Sequence, residues 1–178
     1  MPRFIAFLRA INLGAKRKFP KADIIAATEA AGMTHVATHI NTGNVFFTTT
    51  MRSPAKVRAA LEQAYAQDRG FDVPVVVFTP DEVRNLTERG TRLRATNEDG
   101  ARHYVQLLHE PPPQAAIDAV QALNLPGEQV IVEGRAAYAL IPSVHDSRST
   151  STREYAALGE GTARTITVLQ AIVQKWCS

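Results

Sequence analysis

Short apolar runs alternate with longer amphipathic stretches along this chain. "RFIAFLRAI" (Arg3–Ile11) is too short for a helix, is followed at once by the breaker "NLG", and reads as a strand apolar on both faces. Pro20 suits the first turn of a helix, in which Ile24, Ile25, Thr28 and Ala31 recur at helical spacing until Gly32. The β-rich "HVATHI" (His35–Ile40) and "NVFFTTT" (Asn44–Thr50) flank a turn at Asn41-Thr42-Gly43. A capped amphipathic helix comes next, with Ser53 as N-cap, Pro54 at N1, Val57, Leu61, Ala64 and Tyr65 as its apolar stripe, and Gly70 as its stop. "VPVVVF" (Val73–Phe78) is again apolar on both faces. The order β-α-β-β-α-β predicts a ferredoxin-like unit over residues 1–78.

Residues 79–178 predict a second α/β unit. Thr79 and Pro80 open a helix, and "TRLRATNEDGA" reads as a loop. "RHYVQLLH" (Arg102–His109) reads as a strand and "PPPQAAIDAVQALN" as a helix. "QVIVEGRAAYALI" reads as a hairpin turning at Glu133-Gly134-Arg135, and "SVHDSRSTST" as a polar loop. "REYAALGEG" holds a short helix, and "TARTITVLQAIVQKW" is expected to be a longer one. A four-stranded sheet with helices on one face leaves the other face to alternate polar and apolar, and the first and last strands of the first unit do not alternate. The expected fold is therefore α+β, a ferredoxin-like unit whose open face is covered by a second α/β half. That arrangement weighs against an exposed RNA platform. So does the neighbouring pair Phe46 and Phe47, which point to opposite faces of a strand.

Composition excludes several classes. No apolar run approaches the roughly 20 residues of a membrane span, and Arg9 interrupts the N-terminal apolar stretch after five residues, so a buried strand is expected there rather than a signal peptide. The lone Cys177 permits no intrachain disulfide and no thiolate metal or cluster site, which suits a cytoplasmic protein. The net charge of +3 is uneven: residues 1–70 hold 10 Lys and Arg against 4 Asp and Glu, a balance of +6, and residues 71–178 hold 10 against 13, a balance of −3. A basic half fits an anionic partner or simply a solvated surface.

Few residues offer chemistry. His35 and His39 have the spacing of a helical zinc pair, but on a strand they sit roughly 13 Å apart, so no metal site is expected. No phosphate-cradling glycine motif occurs, and nothing calls for a cofactor. What remains is polar and lies at strand ends: Arg9, Asn12 and Gly14 with Lys16, Arg17 and Lys18 after the first strand, and Asn41, Thr42, Gly43 and Asn44 before the third. Antiparallel pairing of these strands brings the two clusters to one end of the sheet. They form either a structural corner or a binding site for a small anionic ligand.

"FIAFLRAINLGAKRKFPKADI", "GMTHVATHINTGNVFF" and "TARTITVLQAI" resemble the bacterial domain-of-unknown-function family 1697 over nearly the whole chain. Arg9, Ile11, Asn12, Gly14, Lys18, Gly43, Asn44, Val45, Phe47, Arg164, Thr167 and Val168 match the family's pattern. Ala10 stands for its usual Gly, Thr42 for Ser, Thr165 for Asn and Ile166 for Trp. The resemblance implies paired ferredoxin-like subdomains and no established activity. The functional expectation is a protein that binds a small anion or a nucleotide through Arg9, Asn12, Gly14, Lys18, Asn41, Gly43, Asn44, Arg164 and Thr167. The alternatives are a transferase or hydrolase acting on a phosphorylated substrate, with His39, His103, His145 or Asp146 as base, and a nucleic-acid-binding protein. Arg164 is expected in the first turn of a helix capped by Thr162, where a cation opposes the dipole unless it pairs elsewhere. It is expected to reach back to the Asn12 and Asn44 corner.

Overall fold

A computed structural model describes residues 1–95, 102–142 and 148–178. The chain divides into two compact units, Met1–Val83 with Trp176–Ser178, and Arg84–Lys175.

The first unit runs β1 (Arg3–Leu8), α1 (Lys21–Ala30), β2 (Thr34–His39), β3 (Asn44–Thr48), α2 (Pro54–Arg69) and β4 (Val75–Phe78). Its sheet has the order β2-β3-β1-β4, all antiparallel, with β1 central as the topology of a ferredoxin-like unit requires. Phe4, Ala6 and Leu8 of β1 join Val45 and Phe47 of β3 in the core beneath α1 and α2. Ile5 and Phe7 lie on the opposite face and are also fully buried, with Phe7 edge-on to Phe78. Phe46 shares that face, and Trp176 stacks on it at 5.8 Å. Both faces of β1 are thus withdrawn from water, which is why its sequence does not alternate.

The helices start where their caps put them. Ser53 Oγ accepts from Lys56 N, Pro54 opens α2, and Gly70 ends it in the left-handed region at φ 72. The buried Tyr65 hydroxyl meets Thr28 Oγ1 at 2.7 Å and so ties α2 to α1, and burial raises the Tyr65 pKa well above its usual value. The edge strand β2 is irregular. Its register on β3 shifts between Thr34 and Ala37, and His35 sits at φ 51 with Nδ1 bonded to Thr48 Oγ1.

In the second unit, α3 (Pro80–Ala95), which begins in the first, is followed by β5 (Arg102–Leu108), α4 (Gln114–Gln121), β6 (Gln129–Glu133) and β7 (Ala136–Ile141). A short α5 (Arg153–Ala156), β8 (Gly161–Thr165) and α6 (Ile166–Trp176) complete the chain. The order β6-β7-β5-β8 repeats that of the first sheet strand for strand, so this unit is ferredoxin-like as well. Leu108, Val130, Val132, Ala137, Ala139 and Ile141 form the core facing α4 and α5. The other face of β7 meets α3, where Tyr138 Oη donates to Leu86 O at 2.9 Å.

Two expectations are corrected here. Helix α3 does not stop at Gly90 but continues through Ala95, within the stretch read as a loop. Val83, Leu86, Gly90 and Leu93 share one helical face, and a Cβ at Gly90 would come 3.1 Å from the Tyr138 ring and 2.7 Å from Ile166 Cδ1. The glycine is a packing residue, not a stop. "GTART" is strand β8, not the start of a helix, because β5 needs a partner on its outer side: Val105 pairs with Arg164 and Leu107 with Thr162. The helix begins one turn later, capped by Thr165, whose Oγ1 accepts from Val168 N at 3.4 Å.

Gly161 is the tightest point of the second sheet, since a Cβ there would lie 2.1 Å from Leu107 O. Substituting Gly161→Ala is expected to cost more than about 3 kcal/mol, read as a loss of chemical-denaturation midpoint or of soluble folded protein. A variant within 0.5 kcal/mol of wild type, on that same rough scale, contradicts this packing.

Candidate functional site

The segment between β1 and α1 leaves the sheet at Leu8 and is pinned by its own polar groups. Leu8 N donates to Gly43 O at 2.8 Å, and Arg9 N to Pro74 O at 2.9 Å. Asn12 then braces the corner. Its amide Nδ2 donates to Asn41 O at 2.7 Å and to Phe19 O at 3.3 Å, and its Oδ1 accepts from Phe19 N at 2.9 Å. The strand-end loop and the β2–β3 turn therefore meet, as antiparallel pairing of β1 and β3 dictates.

Gly43 lies under this brace at φ 80, where a Cβ would fall 2.6 Å from Leu8 Cβ and 2.9 Å from Ile11 Cδ1. Only glycine fits, both in backbone conformation and in space. Asn44 is fully buried, and its Nδ2 donates to His39 O at 2.9 Å and to Thr42 Oγ1 at 3.0 Å. Asn12, Gly43 and Asn44 are thus the frame of the corner.

The cations divide into two groups. Arg17 is structural: its Nε donates to Ala10 O, its Nη2 to Asp72 O at 2.6 Å, and its guanidinium lies 4.5 Å over the Phe71 ring. Arg9, Lys16 and Lys18 are exposed. The backbone between them changes hand repeatedly, with φ of 57 at Ala10, 54 at Asn12 and 67 at Gly14. Within this loop Asn12 N donates to Arg17 O at 2.7 Å, which closes the segment on itself. Nothing lies within 4 Å of the position a Gly14 Cβ would take, so the loop surface is open there.

Of the other described candidates, His39 lies in the first unit and Arg164, Thr167 and His103 in the second. Arg164 is a strand residue, paired with Val105 and buried, so the expected conflict with a helix dipole does not arise. Its Nη1 donates to Thr162 Oγ1 at 2.9 Å and to Ala163 O at 2.8 Å, and burial lowers its pKa to about 10. Thr167 is exposed in the first turn of α6. His39 packs edge-on to Trp176 at 6.3 Å. His145 and Asp146 lie outside the described residues. Among the described residues no cluster of three metal-binding side chains occurs, and no helix is long and apolar enough to cross a membrane.

His103 is buried at 4% exposure beside Tyr138, with neither ring nitrogen hydrogen-bonded among the described residues. Burial, assisted by the charge of Arg94, lowers its pKa to about 4, so at neutral pH it is an uncharged residue of the core. Two features of the corner escaped sequence reasoning, the exposed apolar side chains of Leu13 and Ile40. No spacing in the sequence marks them, and only the coordinates turn them outward.

Two outcomes follow. Asn12→Ala removes three bonds and places a Cβ residue at φ 54 without the local hydrogen bonding that offsets it, and is expected to cost about 2–4 kcal/mol. Asn12→Gly keeps the backbone relaxed and should lose less, so equal losses in the two variants would disprove the backbone contribution. For His103, the unfolded chain takes up a proton near the ordinary pKa of 6.5 and the folded chain does not until about 4. Stability should therefore fall as pH drops from 6.5 toward 4, by on the order of 2–3 kcal/mol. His103→Leu should flatten this part of a pH-dependent denaturation series, and an unchanged slope would refute the assignment.

The comparisons with known proteins agree with this architecture. A search of the curated proteins gives no match. Among solved structures, the conserved bacterial protein SP0830 from Streptococcus pneumoniae superposes with a TM-score of 0.71 at 21% identity, covering 98% of this chain and 97% of that one. At that identity the likeness concerns the fold. A family model described as "Protein of unknown function (DUF1697)" matches residues 1–138, and the chain belongs to that family.

Proposed function

We propose that the β1–α1 loop binds a small anionic ligand, a phosphorylated metabolite or nucleotide, in a cytoplasmic protein. The observation that carries this is the conjunction of alternating backbone hand at Ala10, Asn12 and Gly14 with the exposed cations Arg9, Lys16 and Lys18 on the same loop. Loop amides other than that of Asn12, which is bonded to Arg17 O, would supply directional donors, and the three cations long-range attraction. At Ala10 a Cβ in the left-handed region costs roughly 1–2 kcal/mol, and the resemblance leads one to expect glycine there. Asn12, Gly43 and Asn44 act indirectly by holding the loop against the turn. Asn41, exposed at the same corner, is placed to add a side-chain amide.

A thermal-shift and calorimetric screen of phosphorylated metabolites and nucleotides tests the reading. Arg9→Ala and Lys18→Ala are each expected to weaken the strongest hit about tenfold, one charge-assisted hydrogen bond's worth. Because both side chains are exposed, melting temperatures without ligand should hold. Hits untouched by both substitutions refute the site. Binding of oligonucleotides with a steep salt dependence, and of no mononucleotide, would move the function to nucleic acid.

A further inference from the structure

Among the described residues the exposed large hydrophobic side chains are Met1, Leu13 and Ile40, and apart from the terminal methionine both belong to the corner just described. Leu13 follows Asn12 and Ile40 precedes Asn41, so each stands one residue from an end of the 2.7 Å Asn12–Asn41 bond. Leu13 is 65% exposed and Ile40 36%. Neither degree of exposure returns the stability that a buried aliphatic side chain contributes.

Ile40 is the more telling of the two. It sits at φ 51, a region in which a β-branched residue is a true outlier. Asparagine or glycine would take that conformation at lower backbone cost, though without the packing of the covered part of Ile40. A strained backbone beneath a partly exposed aliphatic side chain points to a contact made in function.

We infer that the anion taken by this loop carries an apolar group, so that the ligand is a nucleoside phosphate whose base lies against Leu13 and Ile40. The inference rests on the anion-binding reading of the loop and narrows it. An inorganic anion would use Arg9, Lys16 and Lys18 and leave both aliphatic side chains in water. A neutral apolar molecule would bury them and leave the cations unanswered. A molecule with a phosphoryl group at one end and a flat, weakly hydrated ring at the other uses the whole corner.

The test compares ADP with inorganic pyrophosphate on the full chain at one ionic strength, by calorimetry. Wild type should bind ADP about tenfold more tightly than pyrophosphate, the gain from covering on the order of 50 Å² of aliphatic surface. Leu13→Ser and Ile40→Asn should each reduce that preference severalfold and leave pyrophosphate affinity unchanged. Thermal midpoints of both variants without ligand separate weaker ADP binding from loss of folded protein. Equal affinity of wild type for the two anions, or ADP binding unaffected by Leu13→Ser, would overturn the inference and leave anion binding standing. If neither anion binds, the anion-binding reading falls and takes the inference with it. Association with phosphatidylglycerol vesicles without ADP binding would overturn it in favour of a lipid surface.

Discussion

One side-chain amide holds the corner of the first unit together. The donor and acceptor of Asn12 are both spent on backbone, bridging the loop after β1 to Asn41 in the next turn and to Phe19 at the approach to α1. Two stretches of main chain, 7 and 29 residues along, are thereby fixed to one residue, and the three backbone groups involved are satisfied without water. The close approach of Gly43 to Leu8 depends on the same fixation, as does the buried amide of Asn44 on the far side of the turn. Asparagine suits this place for two reasons at once: it tolerates the left-handed backbone better than other residues with a Cβ, and its amide is short enough to reach back to local main chain.

Charge at this end of the molecule is less available than its count implies. Arg17 is committed to Ala10 O, Asp72 O and the Phe71 ring. Arg69 is shared among Asp23, Asp68 and the carbonyl of Lys18, with its guanidinium over Phe19. Arginine's planar fork suits such work, since it meets several carbonyls and a ring face together. Lysine, a compact and strongly hydrated charge, is left to the exposed stretch at Lys16 and Lys18. The basic surplus of the N-terminal part therefore has an internal component that stitches loops and a smaller external one that faces solvent.

The first unit was almost wholly legible in sequence because its signals are local: the Ser53–Pro54 cap, the Gly70 stop, and apolar runs bounded by breakers. Its polar corner was legible too, since antiparallel topology alone brings the end of β1 to the start of β3. The misreadings in the second unit share a cause. Gly90 and "GTART" have the local character of a helix stop and a helix start, but tertiary demands override both. Tyr138 and Ile166 need the space a Cβ would occupy, and β5 needs an outer neighbour. Which asparagines brace and which face solvent was not legible either, because that depends on distances no spacing rule supplies. The outward turn of Leu13 and Ile40 escaped for the same reason.

The uneven strand β2 bears on how this protein lives among copies of itself. A β-sheet that ends in a straight, unpaired strand offers a ready template to any passing chain. Here the slip in register between Thr34 and Ala37 and the left-handed turn at His35 break the row of main-chain groups. An approaching strand could form only a few bonds before losing step. The outer edge is in effect notched, so the backbone itself offers a poor template for strand addition.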